Sequence, residues 1–328
     1  MDIFEYILYI CIYIIYIRYI LLQVFVVMAM FSTGKALPCC WAFLPNKKEE
    51  TYQLMWDAIM KKVSKDGKEQ IMPQCCSVDF ESATIKILQN LFVGVPVVGC
   101  LFHFRQAIWN KLKGIGLTQL YFRDIDFQEW VHMLYGLSYV PTESVVAYYD
   151  KVILPSMEAK IFNHDQNEDD PEEETEDDGS WPFWLDEIQL FVTYLDRTWI
   201  GRKIPQSERR GRPLYQHKLW NQVRVTVGEP EVGCSTNNAV ERYNRTMKSL
   251  LGINPNLWII MQSLVSQEAE TRTILMNNAA GLDLTVNQGR NQRQKDSAFR
   301  LKSIVKRFAD LSPEMYLQCL AKHLNNGN

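Results

Sequence analysis

A mixed α/β sheet with helices on its faces is the fold class this sequence predicts. Three observations carry it. Apolar strand-like runs alternate with amphipathic helical periods up to about residue 116, and helical spacing takes over after residue 124. The chain is long enough, with 328 residues of which 47% are hydrophobic, to bury the core of one large domain or two smaller ones. This composition excludes a disordered tail, a collagen-like repeat and a disulfide miniprotein.

The elements follow in order. Leu21 to Phe31 reads as a buried strand, Ser32-Thr-Gly-Lys35 as a turn and Leu37 to Leu44 as a second strand, together an antiparallel hairpin. Tyr52, Met55, Trp56, Ile59 and Val63 then recur at helical spacing, giving a helix over residues 48–63. Met72 to Val78 is a strand running into Asp79, and Phe80, Ala83, Ile87, Leu88 and Leu91 mark the next helix. Val95 to Leu101 is a strand again; Phe104, Ala107, Ile108 and Leu112 mark a helix ended by Gly114 and Gly116. Strands joined through helices lie parallel by right-handed crossovers, hence the mixed sheet. From 124 to 235 the apolar spacing is mostly helical, broken by an acidic loop at 163–180 and a Pro- and Arg-rich loop at 201–213. A helix carries Ala239, Val240, Tyr243, Met247, Leu250 and Leu251, another covers 256–276, residues 283–297 read as a linker, and a short basic helix closes the chain.

The formal charge of −3 conceals an uneven distribution. Residues 165–178 carry ten carboxylates and no Lys or Arg, whereas residues 179–328 hold 20 Lys and Arg against 13 Asp and Glu. That basic half is suited to a polyanion. The eight cysteines include the adjacent pairs Cys39-Cys40 and Cys75-Cys76, and read as reduced thiols used as small hydrophobes.

Residues 3–31 are almost wholly apolar and dominated at first by Ile and Tyr, with Arg18 separating an uncharged run of 12 residues (6–17) from one of 16 (19–34). Neither run reaches the 18 or so residues of a spanning helix. The preceding charges, Asp2 and Glu5, are acidic where a signal peptide has basic ones. Strand propensity is high, so a buried strand and a membrane anchor stand as alternatives.

Three sets of residues could carry chemistry. Asp79 sits where a strand hands over to a helix, the place where open α/β sheets build their sites, and where Asp also caps helices well. Glu241 opens a helix, and Asn238-x-x-Glu241 equally resembles a capping box. Cys100-Leu-Phe-His103 has the C-x-x-H spacing of half a zinc site, or of a buried thiol beside a hydrogen-bonded imidazole.

Order and flanking residues add what none of these gives singly. Pro38-Cys-Cys-Trp-Ala-Phe-Leu-Pro-Asn-Lys47, Glu49-Glu-Thr-Tyr52, Ser77-Val-Asp-Phe-Glu-Ser-Ala83, Gly99-Cys-Leu-Phe-His-Phe-Arg-Gln-Ala-Ile-Trp109, Gly116-Leu-Thr-Gln-Leu-Tyr121, Leu219-Trp-Asn221 and Thr236-Asn-Asn-Ala-Val-Glu-Arg-Tyr243 succeed one another. Over residues 20–265 the chain resembles a Mutator-like element (MULE) transposase of the arthropod type associated with FLYWCH zinc fingers. The resemblance implies an RNase H-like mixed sheet flanked by helices, with a mostly helical insertion and a helical C-terminal region. It divides the chain into a hydrophobic Ile/Tyr-rich leader (1–19), a core (20–123), an insertion (124–235), core-completing helices with Glu241 (236–276) and a basic tail (277–328).

It also implies DDE chemistry, in which three carboxylates hold two Mg²⁺ or Mn²⁺ ions for strand cleavage and transfer on DNA. Asp79 and Glu241 stand as the second and third carboxylates, both catalytic and metal-binding, and Cys100 with His103 as a supporting element near the site. Asn244 stands where the family often has His. The family's first carboxylate comes in an Asp-Gly-Thr-Phe segment about a dozen residues before the strand at Leu21, and no such segment is here. The preceding zinc-binding DNA reader is absent too, so the resemblance is to an N-terminally truncated transposase, catalytically impaired as written. The expected partner is DNA, transposon ends in the family, contacted through Arg202, Lys203, Arg209, Arg210, Arg212, Arg242 and Arg245. A homo-oligomer and a nuclear location are further expectations. A non-enzymatic DNA- or protein-binding remnant is the alternative, and a membrane protein anchored by residues 3–31 the second alternative.

Overall fold

The computed structural model describes residues 7–17, 20–30, 36–65, 72–165, 181–207, 209–227, 243, 246, 247, 249, 256–280 and 292–325. The fold is mixed α/β, as predicted. The chain divides into two units: residues 1–100 with 232–290, and residues 101–231 with 291–328. Each is described by itself.

The first unit holds the sheet. Strands β1 (Ile7–Ile17), β2 (Ile20–Met30), β3 (Ala36–Leu44), β4 (Cys75–Val78) and β5 (Val97–Gly99) lie in the order β3-β2-β1-β4-β5. β1, β2 and β3 form an antiparallel meander, with Ile7 opposite Met30, Ile17 opposite Ile20, and Gln23 opposite Leu44. β4 runs parallel to both β1 and β5. The Ile/Tyr run resolves as strand because β-branched and aromatic residues lose side-chain freedom in a helix and pack well on a pleated surface. The sheet starts, among the described residues, at Ile7, inside the Ile/Tyr-rich stretch. Among the described residues no helix is long and apolar enough to cross a membrane, so the second alternative, an anchor at residues 3–31, is without support; residues 7–17 and 20–30 form β1 and β2.

β2 is buried from Val24 through Ala29, the pattern of a strand covered on both faces. Met28 faces Pro38 while Val27 faces Cys40, so Cys39 is an extra, exposed residue at a bulge. Pro38 is tolerated there because β3 is an edge strand. β4 starts later than Met72 because Pro73 has no N–H to give to a ladder.

Helix α1 (Glu49–Lys65) covers the sheet with Tyr52, Met55 and Trp56. Phe25 of β2 meets Tyr52 at 5.5 Å and the edge of Trp56 at 6.5 Å, and Trp56 meets Phe92 edge-on at 6.0 Å. Helix α2 (Ser82–Leu91) crosses from β4 to β5 and buries Thr84, Ile85, Ile87 and Leu88. Of the helix predicted over residues 239–251, Tyr243, Thr246, Met247 and Ser249 are described, and all four are helical. A further long helix, Leu257–Ala279, packs against β3.

The second unit is helical, with helices α3 (Leu101–Ile115), α4 (Thr118–Arg123), α5 (Ile125–Gly136), α6 (Val145–Tyr148), α7 (Leu154–Asp165), α8 (Leu185–Leu195), α9 (His217–Trp220) and α10 (Val223–Val227). The long helix of the first unit is then α11, and α12 (Gln292–Lys306) and α13 (Pro313–Asn325) complete the second. α12 begins inside the stretch expected to be a linker, and the chain closes with two helices, not one basic one. The last buries Tyr316, Leu317, Leu320, Ala321 and Leu324 on one face. α5 is buried from Trp130 through Gly136 and forms the centre. Gly136 leaves room there for Leu320 of α13, whose Cβ would lie 3.3 Å from an added methyl.

Aromatic rings fill the rest. Phe104 of α3 stacks on Trp220 at 4.9 Å and meets Trp199 edge-on at 4.8 Å. That packing joins α3 to the helical unit, which begins at Leu101. Tyr316 donates its hydroxyl to the Tyr139 carbonyl at 2.6 Å. The predicted loop at 201–213 folds back on itself: Gly211 N–H donates to Arg202 O at 2.8 Å and Ile204 N–H to Arg209 O at 3.1 Å. The acidic residues 166–180 lie outside the described residues.

Candidate active site

Asp79 follows the last residue of β4, in the middle of the parallel part of the sheet. A strand that ends here leaves the next side chain beyond the ladder, at the carboxyl edge. On one side, Cys100 N–H donates to Val78 O at 2.7 Å, which holds the buried Cys100 beside Asp79. On the other side, β4 pairs with β1 through Cys75–Ile7, Cys76–Leu8 and Ser77–Tyr9. Continuing that register by two residues brings Cys11 level with Asp79.

Two carboxylates two residues apart have different surroundings. Glu81 is tied down: Tyr52 donates its hydroxyl to Oε2 at 2.8 Å, and Lys47 Nζ lies 3.1 Å from Oε1. Asp79 Oδ1 is buried with no hydrogen-bond partner. Its carboxyl is pushed up to about 6, first by burial and then by the neighbouring Glu81 charge, with Lys47 pulling the other way. The cap of α2 is Glu81, without a side-chain cap bond, so Asp79 does not serve as that helix's N-cap. Glu81 went unread in the sequence; its spacing, Asp-x-Glu at a strand end, was the available signal.

An unpartnered, half-dry carboxylate oxygen suits a hard divalent cation, which takes oxygen ligands. The rest of a two-metal centre does not follow. β1 contains no Asp or Glu from Ile7 to Ile17, so the strand neighbouring Asp79 contributes no second carboxylate. Glu241 lies outside the described residues, as do Arg242 and Arg245. Among the described residues, no three His, Cys, Asp or Glu side chains gather as a metal site. The described residues therefore do not fit a two-metal centre.

Tyr243, two residues beyond Glu241, is buried, and Trp41 of β3 donates its indole N–H to the Tyr243 hydroxyl at 2.6 Å. This bond ties Tyr243 to the sheet, across 202 residues of sequence. The C-x-x-H motif divides between the units: Cys100 ends the first stretch of one, and His103 lies in α3 of the other. His103 Nδ1 is buried without a partner, and burial lowers the imidazole's proton affinity.

The expected DNA-contact residues separate into two kinds. Arg202, Lys203, Arg209 and Arg212 are exposed on the folded-back loop. The Arg210 side chain is 2% exposed and bonded inward: Nη2 lies 2.7 Å from Asp150 Oδ1, Nη1 2.8 Å from Asp196 Oδ1 and 2.7 Å from Gly201 O, and its carbon 4.9 Å from the Tyr149 ring centroid. A guanidinium already held by two carboxylates is not available to a phosphate, and Arg210 leaves the set of contact residues. Sequence separation hid this, because Asp150 lies 60 residues away.

No curated protein matches the chain. Residues 17–107, a stretch that holds Asp79, Cys100 and His103 but not Glu241, match the family model of the MULE transposase domain, and over that stretch the chain is similar to MULE transposases.

Proposed function

We propose that this is a transposase-derived, RNase H-like protein of the DDE class that engages DNA in the nucleus but does not cut it. The observation that carries the reading is Asp79, a buried carboxylate with a free oxygen at the carboxyl end of β4. The MULE match over residues 17–107 supports a transposase ancestry. The strand order β3-β2-β1-β4-β5, with the first three antiparallel and the last two parallel, supports the RNase H-like reading. Absence of a carboxylate along β1 supports the loss of cutting: with one ligand of three missing, bridging geometry and negative charge both fall short. Asp79 and Glu241 then hold at most one Mg²⁺ or Mn²⁺ weakly. Arg202, Lys203, Arg209 and Arg212 hold phosphates without reading sequence.

The test pairs metal titration with a nicking assay on supercoiled plasmid. Weak Mn²⁺ binding abolished by Asp79→Asn and by Glu241→Gln is expected, with no nicking by the unaltered chain. Cys11→Asp is expected to tighten Mn²⁺ binding by at least about tenfold, a gain of roughly 1.4 kcal/mol. Metal binding that survives both Asp79→Asn and Glu241→Gln refutes the ligand assignment, and Mn²⁺-dependent nicking by the unaltered chain refutes the loss of cutting.

A further inference from the structure

The helical unit holds a group of polar side chains that the reading above does not use. Arg105 of α3 places its guanidinium carbon 5.3 Å from the Tyr135 ring centroid. Its Nε and Nη2 are buried without a hydrogen-bond partner, and among the described residues no carboxylate pairs with it. His132 of α5 is only 2% exposed. Its Nε2 lies 3.0 Å from the Tyr121 hydroxyl, its ring is 5.7 Å from Tyr135, and its Nδ1 is buried with no partner. The charge of Arg105 acts on Tyr121, His132, Tyr135, Tyr139 and His323, and Arg300 adds to it at His323. All these groups are cations, imidazoles or phenols.

A half-buried guanidinium with two buried, unbonded nitrogens and no counter-charge is unfavourable, and so is a buried imidazole nitrogen with nothing to bond. One ligand relieves both. We propose that Arg105 and His132 form a binding site for a tetrahedral oxyanion, a phosphate group supplied either as free phosphate or as a phosphodiester of nucleic acid. The planar fork of Arg offers Nε–H and an Nη2–H side by side, the geometry that grips two oxygens of a phosphate. His132 Nδ1 supplies a third donor in the tautomer whose Nε2 accepts from the Tyr121 hydroxyl. Three donors lie well within the acceptor capacity of a phosphate's oxygens. This inference does not rest on the Asp79 reading, since it uses neither that residue nor a metal.

The probe is inorganic phosphate, added to the full chain at constant ionic strength against chloride, with calorimetry, melting and the His132 ring signals in NMR as readouts. Saturable binding is expected, with a rise in melting temperature of about 3–5 °C at ten times Kd and displaced His132 signals. Arg105→Met is expected to melt at or above the unaltered chain without phosphate, because it removes a half-buried guanidinium with two unbonded nitrogens, and to lose at least about tenfold in phosphate affinity. Arg105→Lys keeps the charge but not the fork, and is expected to bind with intermediate affinity. A short DNA duplex that competes with phosphate assigns the site to a phosphodiester; phosphate binding without competition assigns it to the free anion. Absence of saturable binding up to about 10 mM phosphate overturns the proposal. So does unchanged affinity in Arg105→Met, or, should that variant not fold, His132 signals in the unaltered chain that phosphate leaves in place.

Discussion

Replacing Asp79 by Asn separates the two roles open to a buried carboxylate, a structural anchor or a ligand waiting for a cation. Burial and the Glu81 charge raise its carboxyl from an ordinary 3.8 to about 6. A tenfold change in proton affinity is worth about 1.4 kcal/mol, so ionised Asp79 costs the folded chain about 3 kcal/mol relative to the unfolded one. Partial solvent access trims this to roughly 1.5–3 kcal/mol. The sign follows from the direction of the shift. Below pH 3.8 the group is neutral in both states and costs nothing; as pH rises toward 6 the unfolded chain ionises first and stability is lost. Above 6 the loss is complete. Asn carries no charge at any of these values, so the variant is flat across the window. The assay is a melting curve at pH 4 and pH 7.5, with and without Mn²⁺. At pH 4 the two proteins are expected to melt together, and at pH 7.5 the variant about 4–8 °C higher. Mn²⁺ is expected to recover that difference in the unaltered chain and to leave Asp79→Asn unmoved. A variant that melts lower at pH 7.5, or by the same margin at both pH values, would falsify the reasoning, because Asp79 would then be an anchor.

The remaining predictions concern the scaffold. Trp41→Phe and Tyr243→Phe each remove the 2.6 Å indole–hydroxyl bond and are expected to cost about 1 kcal/mol by urea denaturation. The double variant is expected to cost less than the sum, and strict additivity would show that the bond contributes nothing. Arg210→Met strands two partly buried carboxylates, Asp150 and Asp196, and is expected to destabilise by about 3–5 kcal/mol, whereas Arg202→Met and Arg209→Met stay within about 0.5 kcal/mol. In DNA-binding assays the salt dependence is expected to fall with the latter two; a changed salt slope in Arg210→Met with normal melting would return that residue to the interface. Gly201→Ala combines φ of 112° with a methyl driven into the Gly211 carbonyl, and is expected to cost more than about 2 kcal/mol, read as a lower melting temperature. A neutral result there would mean that the loop at 201–213 can rearrange freely.

Much of the sheet was legible because strands and helices have different apolar periods. β2, β3 and the α1, α2 and α3 helices fall close to their predicted places. β1 was legible only as one of two alternatives: a run of uniformly apolar residues has no period, and pairing with β2 on one side and β4 on the other is what decides for the strand. The site was legible as a position and not as an environment. Asp79 and Glu81 are both acids at one strand end. What ties one and leaves the other is Tyr52 and Lys47, placed by the fold from 29 and 34 residues upstream. Arg210 reads like its exposed neighbours until the π-helical turns that carry Asp150 and Asp196 close on it. The amphipathic face of α13, by contrast, was written in the 3–4 spacing of Tyr316, Leu317, Leu320 and Leu324, and the basic residues around it drew the reading away.

The alternation of the two units along the chain has a consequence for biosynthesis. The first unit is begun by residues 1–100 and completed by 232–290, and the second is begun at 101 and completed only by 291–328. A ribosome adding about 5–20 residues per second spends roughly 7–26 s on the 131 residues between the two parts of the first unit. Throughout that interval the β3 edge waits for α11 and for Tyr243, its polar backbone groups and Trp41 uncovered. An uncovered strand edge is the kind of surface that pairs with other chains. The nascent protein is therefore most exposed to misassembly, and most dependent on chaperones, while its helical unit is being made. Neither unit can be excised as one continuous stretch, so an independently folding fragment of either must join its two parts artificially.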